Sequence, residues 1–269
     1  MRNIRLTLSY DGSDYVGWQK QPNGRSVQST VESAIERLTG ETASVLAAGR
    51  TDAGVHALGQ VANFRTECNL PCDNIRTGLQ HFVPPDIAIR EAVEVPLEFH
   101  ATYSAKQKRY RYVILNDYVE QPFLRRYVWN RTCGIDACGM HEAGQVLVGK
   151  HDFRSFESHF PNKATSVRTV TELTVRRCDV WPVWNPINPP SSSGTVEDDR
   201  GDFVVLDIVA DGFLYNMVRS IVGTLVKVGR GAWTAGGVRQ VLEAQDRAQA
   251  GETAPAQGLY LVSVDYEQD

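Results

Sequence analysis

The chain has 269 residues, 42% hydrophobic and 22% charged, with a formal net charge of −4, the balance of a globular protein with one large domain or two modest ones. The longest apolar runs are far too short to span a bilayer, and the N-terminal residues show no apolar signal core, so the expected location is the cytoplasm. The acidic sum weighs mildly against nucleic acid, although binding depends on local potential.

In chain order, Ile4 to Tyr10 puts Ile4, Leu6, Leu8 and Tyr10 on one face of a strand. Ser26 suits a helix N-cap, with Val27, Val31, Ala34, Ile35 and Leu38 at helical spacing and Gly40 as the stop. A strand at Ser44 to Ala48 leads into the loop GRTDAGVHA, and Gln60 to Phe64 is the expected return strand. A short helix near Asn74 to Gln80 and a strand at Ile87 to Val93 complete a first half. The second half opens with a strand at Arg109 to Leu115, followed by a helix from Asp136 to Val148 that Gly149 stops. Strands at Val167 to Val175 and Phe203 to Ala210 come next, with HDFRSF before them expected as a loop that His151 organises. Then follow an apolar helix from Tyr215 to Val228, a shorter one at Val238 to Ala244 and a last strand at Leu259 to Tyr266. The segment Trp181 to Gly201, rich in Pro, Ser and Gly, is expected as a long surface loop.

Each half therefore runs strand, helix, strands, helix, strand. That order predicts an α+β fold of two ferredoxin-like halves, residues 1–103 and 104–269, with a mixed, mainly antiparallel sheet and helices on one face. Two such halves joined edge to edge leave a central cleft.

Five cysteines, an odd number, make a disulfide framework unlikely in this setting. Cys68 and Cys72 are four apart, and Cys133, Cys138 and His141 lie near one another, but no pair has zinc-knuckle spacing. Reduced, mostly buried thiols and no metal are expected. From Lys106 to Arg131, seven basic residues (Lys106, Lys108, Arg109, Arg111, Arg125, Arg126, Arg131) are interleaved with aromatics including Tyr103, Tyr110, Tyr112, Phe123 and Trp129. Such a mixture suits phosphate contact with base stacking; a solvated strand face is the alternative.

The loop Gly49-Arg50-Thr51-Asp52-Ala53-Gly54-Val55-His56 holds a guanidinium, a carboxylate and an imidazole within seven positions, among small residues that let a ligand approach the backbone. Taken alone it also fits a tight turn with a capping Asp. Read with its neighbours, the pattern is wider. YDGSDYVGWQ, GRTDAGVHALGQVANF, FHATYSAKQKRYRY, GKHDFRSF, GFLYNMVRSIVGTLVKVGRG and GLYLVSVDY, in this order, resemble the tRNA pseudouridine synthase A family, from Ile4 to Tyr266.

The resemblance implies two RNA-recognition-like halves, a homodimer, no cofactor and no catalytic metal. It implies tRNA as substrate, at uridines 38 to 40 of the anticodon stem-loop. Carried over by motif, Asp52 is the nucleophile and Arg50 helps hold the target base out of the stack. Tyr110 packs on the uracil, and Arg219 pairs with the aspartate. His56, Arg109 and Arg111 are further candidates for RNA contact; each could equally be structural.

These residue types fit the reaction, which detaches uracil at nitrogen and rejoins it through carbon. A carboxylate can attack at the sugar C1′ or at C6 of the base, and the sequence leaves both open. Burial alone raises a carboxyl pKa; a guanidinium opposes that and grips the carboxylate through two bonds. Arg219 falls in the first turns of an apolar helix, where the macrodipole disfavours a cation, so it needs an anion; Asp52 is the expected partner and Asp211 the local alternative. Tyr110 and Tyr112 share a strand face, where one could stack on a flipped base or relay the C5 proton. Residues before Arg168 and Thr169 depart from the family pattern, and the Trp181 to Gly201 loop is longer than usual. The rival reading is a non-catalytic RNA-binding protein using the same basic, aromatic cleft.

Overall fold

Period-two alternation decides the first strand of the computed structural model, which describes residues 1–158, 165–183 and 201–267. Strand β1 (Arg2–Tyr10) buries Ile4, Leu6, Leu8 and Tyr10 and turns Arg5, Thr7 and Ser9 partly outward. It lies between β3 (His56–Thr66) and β4 (Ile87–Val95), antiparallel to both. The short β2 (Leu46–Ala47) pairs with β3, a smaller strand than the expected Ser44 to Ala48.

Helix α1 (Val27–Thr39) begins where expected because Ser26 accepts from the Ser29 N–H, and it ends because Gly40 takes φ +76°. Its apolar stripe of Val27, Val31, Ala34 and Ile35 is buried, and it packs on α2 (Cys72–Phe82), which packs on β4. The last strand of the chain, β10 (Leu259–Tyr266), runs parallel to β3 through Tyr260 opposite His56 and Leu261 opposite Ala57. The first compact unit is thus Met1–Arg109 with Tyr260–Asp269, and its strand order is β4-β1-β3-β10.

The second unit is Tyr110–Leu259. Strand β5 (Ala105–Leu115) enters it at Tyr110 and is buried at every position from there on. The two-residue β6 (Trp129–Asn130) runs parallel to the end of β5. Beyond β5 the order is β9 (Phe203–Ala210), β8 (Val167–Cys178), β7 (Gly149–Asp152), with β7-β8 and β8-β9 antiparallel. β9 is buried at all eight positions, a strand covered on both faces. Helix α3 (Ala137–Gly144) packs on β8 and on α4 (Met217–Gly229), and α5 (Ala235–Ala244) packs on α3. The result is the expected α+β class with a mixed, mostly antiparallel sheet.

Among the departures from the sequence reading, three have clear local reasons. The α3 segment leaves α-geometry at Gly144 and finishes as one 3₁₀ turn, Gln145–Leu147, before Gly149 at φ +115°. α4 starts at Met217 rather than Tyr215 because Asn216 sits in the left-handed region, φ +60°. Gly149–Asp152 pairs with Val167–Val170 as a strand although its side chains are polar, so no alternation announced it. Most of the Trp181 to Gly201 segment lies outside the described residues. The five cysteines are half-buried rather than mostly buried. Among the described residues, no helix is long and apolar enough to cross a membrane.

Candidate active site

The loop from Gly49 to Val55 is anchored by its middle. Thr51 turns inward, 5% exposed, with its hydroxyl 2.8 Å from the Tyr10 hydroxyl. Arg50 is exposed and Asp52 half-buried, the alternation of extended backbone around an inward anchor. Gln60, fully buried on β3, donates through Nε2 to the Gly49 carbonyl at 2.7 Å and more weakly to the Tyr10 hydroxyl at 3.4 Å. Burial pushes the Tyr10 hydroxyl up to about 12, against the opposing pull of its bonds with Thr51 and Gln60.

A second hold comes from the backbone of the segment before α1. Gly17 forms an isolated antiparallel bridge with Asp52, and the Trp18 N–H donates to the Thr51 carbonyl at 2.9 Å. The approach leaves no room for a side chain: a Cβ on Gly17 would sit 2.6 Å from the Thr51 oxygen, and Gly17 has φ +107°. The loop closes through the Val55 N–H to the Asp52 carbonyl at 3.1 Å, with Gly54 at φ +78°. The Gly17 segment is itself braced by Tyr15, whose hydroxyl donates to Asp86 at 2.6 Å and accepts from Arg25 at 2.7 Å. The Lys108 side chain lies beside Gly49, its Nζ 3.8 Å from where a Cβ on that glycine would be, which brings a cation to the start of the loop.

His56 ends the loop and starts β3. It is 2% exposed, stacked on Tyr260 with ring centroids 4.9 Å apart. Its Nδ1 lies 3.1 Å from the Gly12 N–H and 3.2 Å from an Asp11 oxygen. A ring nitrogen cannot accept from one and donate to the other at once. The bond made is the one from the Gly12 N–H, a buried backbone donor that needs its acceptor. His56, a candidate for RNA contact in the sequence, thereby has a structural place.

In the second unit, Arg219 stands at the first turn of α4. Its Nε donates to the Ala254 carbonyl at 2.6 Å and one Nη to the Asn216 side-chain oxygen at 2.8 Å. The Ala254 N–H returns a bond to the Arg219 carbonyl at 3.1 Å, and Asn216 is tied to the Ser158 hydroxyl at 3.0 Å. These bonds fix the guanidinium plane with neutral oxygens, at a helix end where the dipole opposes a cation. Asp211, the local alternative partner, instead accepts from the Thr169 N–H.

Tyr110 is 7% exposed, its ring edge-on to Phe213 at 4.9 Å. Tyr112, its strand neighbour, is fully buried, donates to the Pro255 carbonyl and packs edge-on against Trp129; it is a core residue. Arg111 is 1% exposed and gives Nε and one Nη to the two oxygens of Asp207 at 2.8 and 3.0 Å, and the other Nη to Pro182. An enclosed, bidentate pair of this kind makes Arg111 a sheet support and removes it from phosphate contact. Arg109 is half-buried. The basic, aromatic stretch does reach the surface further on, where Tyr118, Phe123, Arg125 and Arg126 are exposed.

Gly17 and Gln60 are not singled out as site residues by the sequence, Lys108 appears there only within the basic stretch, and Tyr10 only as a residue of a strand face. Gln60 carried a signal: a polar side chain at an inward strand position.

The family model for tRNA pseudouridine synthase matches residues 7–104 and 143–267, spans that contain Asp52 and Arg219 but not Tyr110. Proteins named tRNA pseudouridine synthase A are similar over nearly the whole chain, Tyr110 included. That of Acetivibrio thermocellus is 44% identical over 266 residues, 99% of this chain and 100% of its own length. That of Moorella thermoacetica is 43% identical over 98% of this chain and 99% of its own. That of Thermoanaerobacter sp. is 41% identical over 99% and 100%.

Proposed function

The chain belongs to the tRNA pseudouridine synthase family, and from this we propose how its residues divide the work of isomerising uridine to pseudouridine in tRNA. The reaction breaks the bond from ribose C1′ to N1 of uracil, forms one from C1′ to C5, removes the C5 proton and leaves a proton on N1, so that substrate and product are isomers. Asp52 is the nucleophile. The observation that carries this reading is the loop itself: a half-buried carboxylate on backbone held from the core by Thr51 and from above by Gly17, next to an exposed arginine. A group fixed in this way attacks with little reorganisation.

Arg50 occupies the space of the extruded base in the RNA stack, as its exposure permits. Tyr110, backed by Phe213, packs on the uracil. Arg219, its plane set by Ala254 and Asn216, supplies the positive charge that keeps the attacking carboxylate ionised. The choice of uridines 38 to 40 in the anticodon stem-loop, and assembly as a homodimer, rest on the family resemblance.

Purified protein is expected to form pseudouridine in tRNA transcripts without added metal or cofactor. Asp52→Asn, close in shape but neutral, is expected to abolish the product while the melting temperature stays within a few degrees. Full activity in that variant overturns the nucleophile assignment. Mapping pseudouridine in tRNA from cells lacking the protein tests the positions: loss elsewhere than 38 to 40 overturns that choice.

A further inference from the structure

We propose that Tyr10, Gln60 and Thr51 are positioning residues for the isomerisation, a buried clamp that sets the direction in which Asp52 and Arg50 leave their loop. The inference rests on Asp52 being the nucleophile.

The clamp grips alternate residues. Gln60 holds the carbonyl of Gly49 at 2.7 Å, and Tyr10 meets the hydroxyl of Thr51 at 2.8 Å. Arg50 lies between the two gripped residues and Asp52 directly follows the second. Both grips come from the central strands of the first unit: Tyr10 ends β1 and Gln60 lies on β3, and these strands pair with each other. A loop tied to adjacent sheet strands inherits the sheet's rigidity.

One of the bonds also has a fixed direction. Gln60 Nε2 can only donate, so at 3.4 Å it supplies a proton to the Tyr10 oxygen. Tyr10 and Thr51 then share a single hydroxyl–hydroxyl bond in which either oxygen can be the donor. Three polar side chains at 0%, 4% and 5% exposure are costly to bury for packing alone. The same volume could be filled by Phe, Val and Met, which need no partners. Among the described residues the Gln60 side-chain oxygen has no hydrogen-bond partner, so the position is held through its Nε2 donor. What the polar set adds is direction, because a hydrogen bond fixes an angle as well as a distance. A displacement of about 1 Å at a reacting group can cost on the order of a hundredfold in rate.

The test compares variants that remove one polar group each. Thr51→Val keeps the shape and removes the hydroxyl; Thr51→Ser keeps the hydroxyl. Tyr10→Phe and Gln60→Met remove the other two groups while filling the space. Single-turnover rates on tRNA and tRNA affinity are measured separately, well below each variant's melting temperature. Thr51→Val, Tyr10→Phe and Gln60→Met are expected to lower the single-turnover rate about tenfold or more, with affinity within about threefold of wild type. Thr51→Ser is expected to restore most of the rate. The double variant Tyr10→Phe, Thr51→Val is expected to be no slower than the worse single, since the two share one bond.

Wild-type turnover in folded Thr51→Val and Tyr10→Phe overturns the inference, and so does Thr51→Ser falling as far as Thr51→Val. Loss of fold in all three removal variants also overturns it, because the groups are then structural. These outcomes are distinct from failure of the underlying reading, which shows as no product from the wild-type chain or as an active Asp52→Asn.

Discussion

Arg111, on β5, is enclosed and gives two N–H groups to the carboxylate of Asp207. Arg219, at the first turn of α4 in the same unit, gives its Nε and one Nη to the neutral oxygens of Ala254 and Asn216. The first arrangement cancels a charge locally, so its cost and benefit stay inside the fold. The second holds a cation in place without those bonds neutralising it, as a site for a developing or attacking anion requires. In these bonds the two arginines differ by the charge of the oxygens that they meet.

The sharpest way to break this comparison is to remove each guanidinium and read stability against turnover. Arg111→Met leaves the Asp207 carboxylate buried at 2% exposure without its partner, which is expected to cost about 3–5 kcal/mol in denaturant unfolding. The folded fraction is expected to keep its rate per molecule. Adding Asp207→Leu should recover much of the loss, because it removes the stranded charge. If Arg111→Met proves as stable as wild type and instead loses affinity for tRNA, the pair is not structural and the contrast fails.

Arg219→Lys should behave the other way round. Lysine keeps the charge but cannot make the fork that meets Ala254 and Asn216 together. A fall in turnover of about a hundredfold to a thousandfold is expected, the size seen when one oriented donor is lost from a site. The melting temperature is expected to fall less than in Arg111→Met, since each bond to a neutral oxygen is worth about 1 kcal/mol. A variant with normal turnover but the instability of Arg111→Met would place Arg219 among the structural residues.

The same contrast explains what could be read from sequence. Ser26 and Gly40 fixed the ends of α1 because a cap is chemistry between residues three or four apart. The limits of β9 and β10 followed from short apolar runs bounded by turn residues. Arg50 and Asp52 stood out because their loop motif is local. The partners that decide roles are distant: Asp207 is 96 positions from Arg111, and Ala254 is 35 from Arg219. Nothing in the alternation of β10 says that it runs parallel to β3 in the first unit, because two paired residues carry that register. Gln60 is only the start of an expected strand in the sequence, because its partners at Tyr10 and Gly49 come from other parts of the chain. The left-handed Asn216 is similar: asparagine tolerates that conformation, but tolerance does not locate it.

A smaller effect separates a hold that depends on a proton from one that depends on charge. The Tyr10 hydroxyl is raised by burial to about 12, above its ordinary value near 10. The folded state therefore binds this proton more tightly than the unfolded chain. The stability it contributes is complete below pH 10 and is lost as pH rises through about 12, at no more than about 1.4 kcal/mol per pH unit. Tyr15, raised in the same direction chiefly by burial and then by its bond to Asp86, adds to the alkaline slope. Removing the titrating group with Tyr10→Phe should make stability fall less steeply between pH 10 and 12, as read from denaturant midpoints at half-unit steps. Arg111→Met should lower the whole curve while leaving the contribution of Tyr10 to that slope in place. An alkaline slope unchanged in Tyr10→Phe would mean that the loop anchor is open to water, and the rigidity attributed to the Asp52 loop would lose its physical basis.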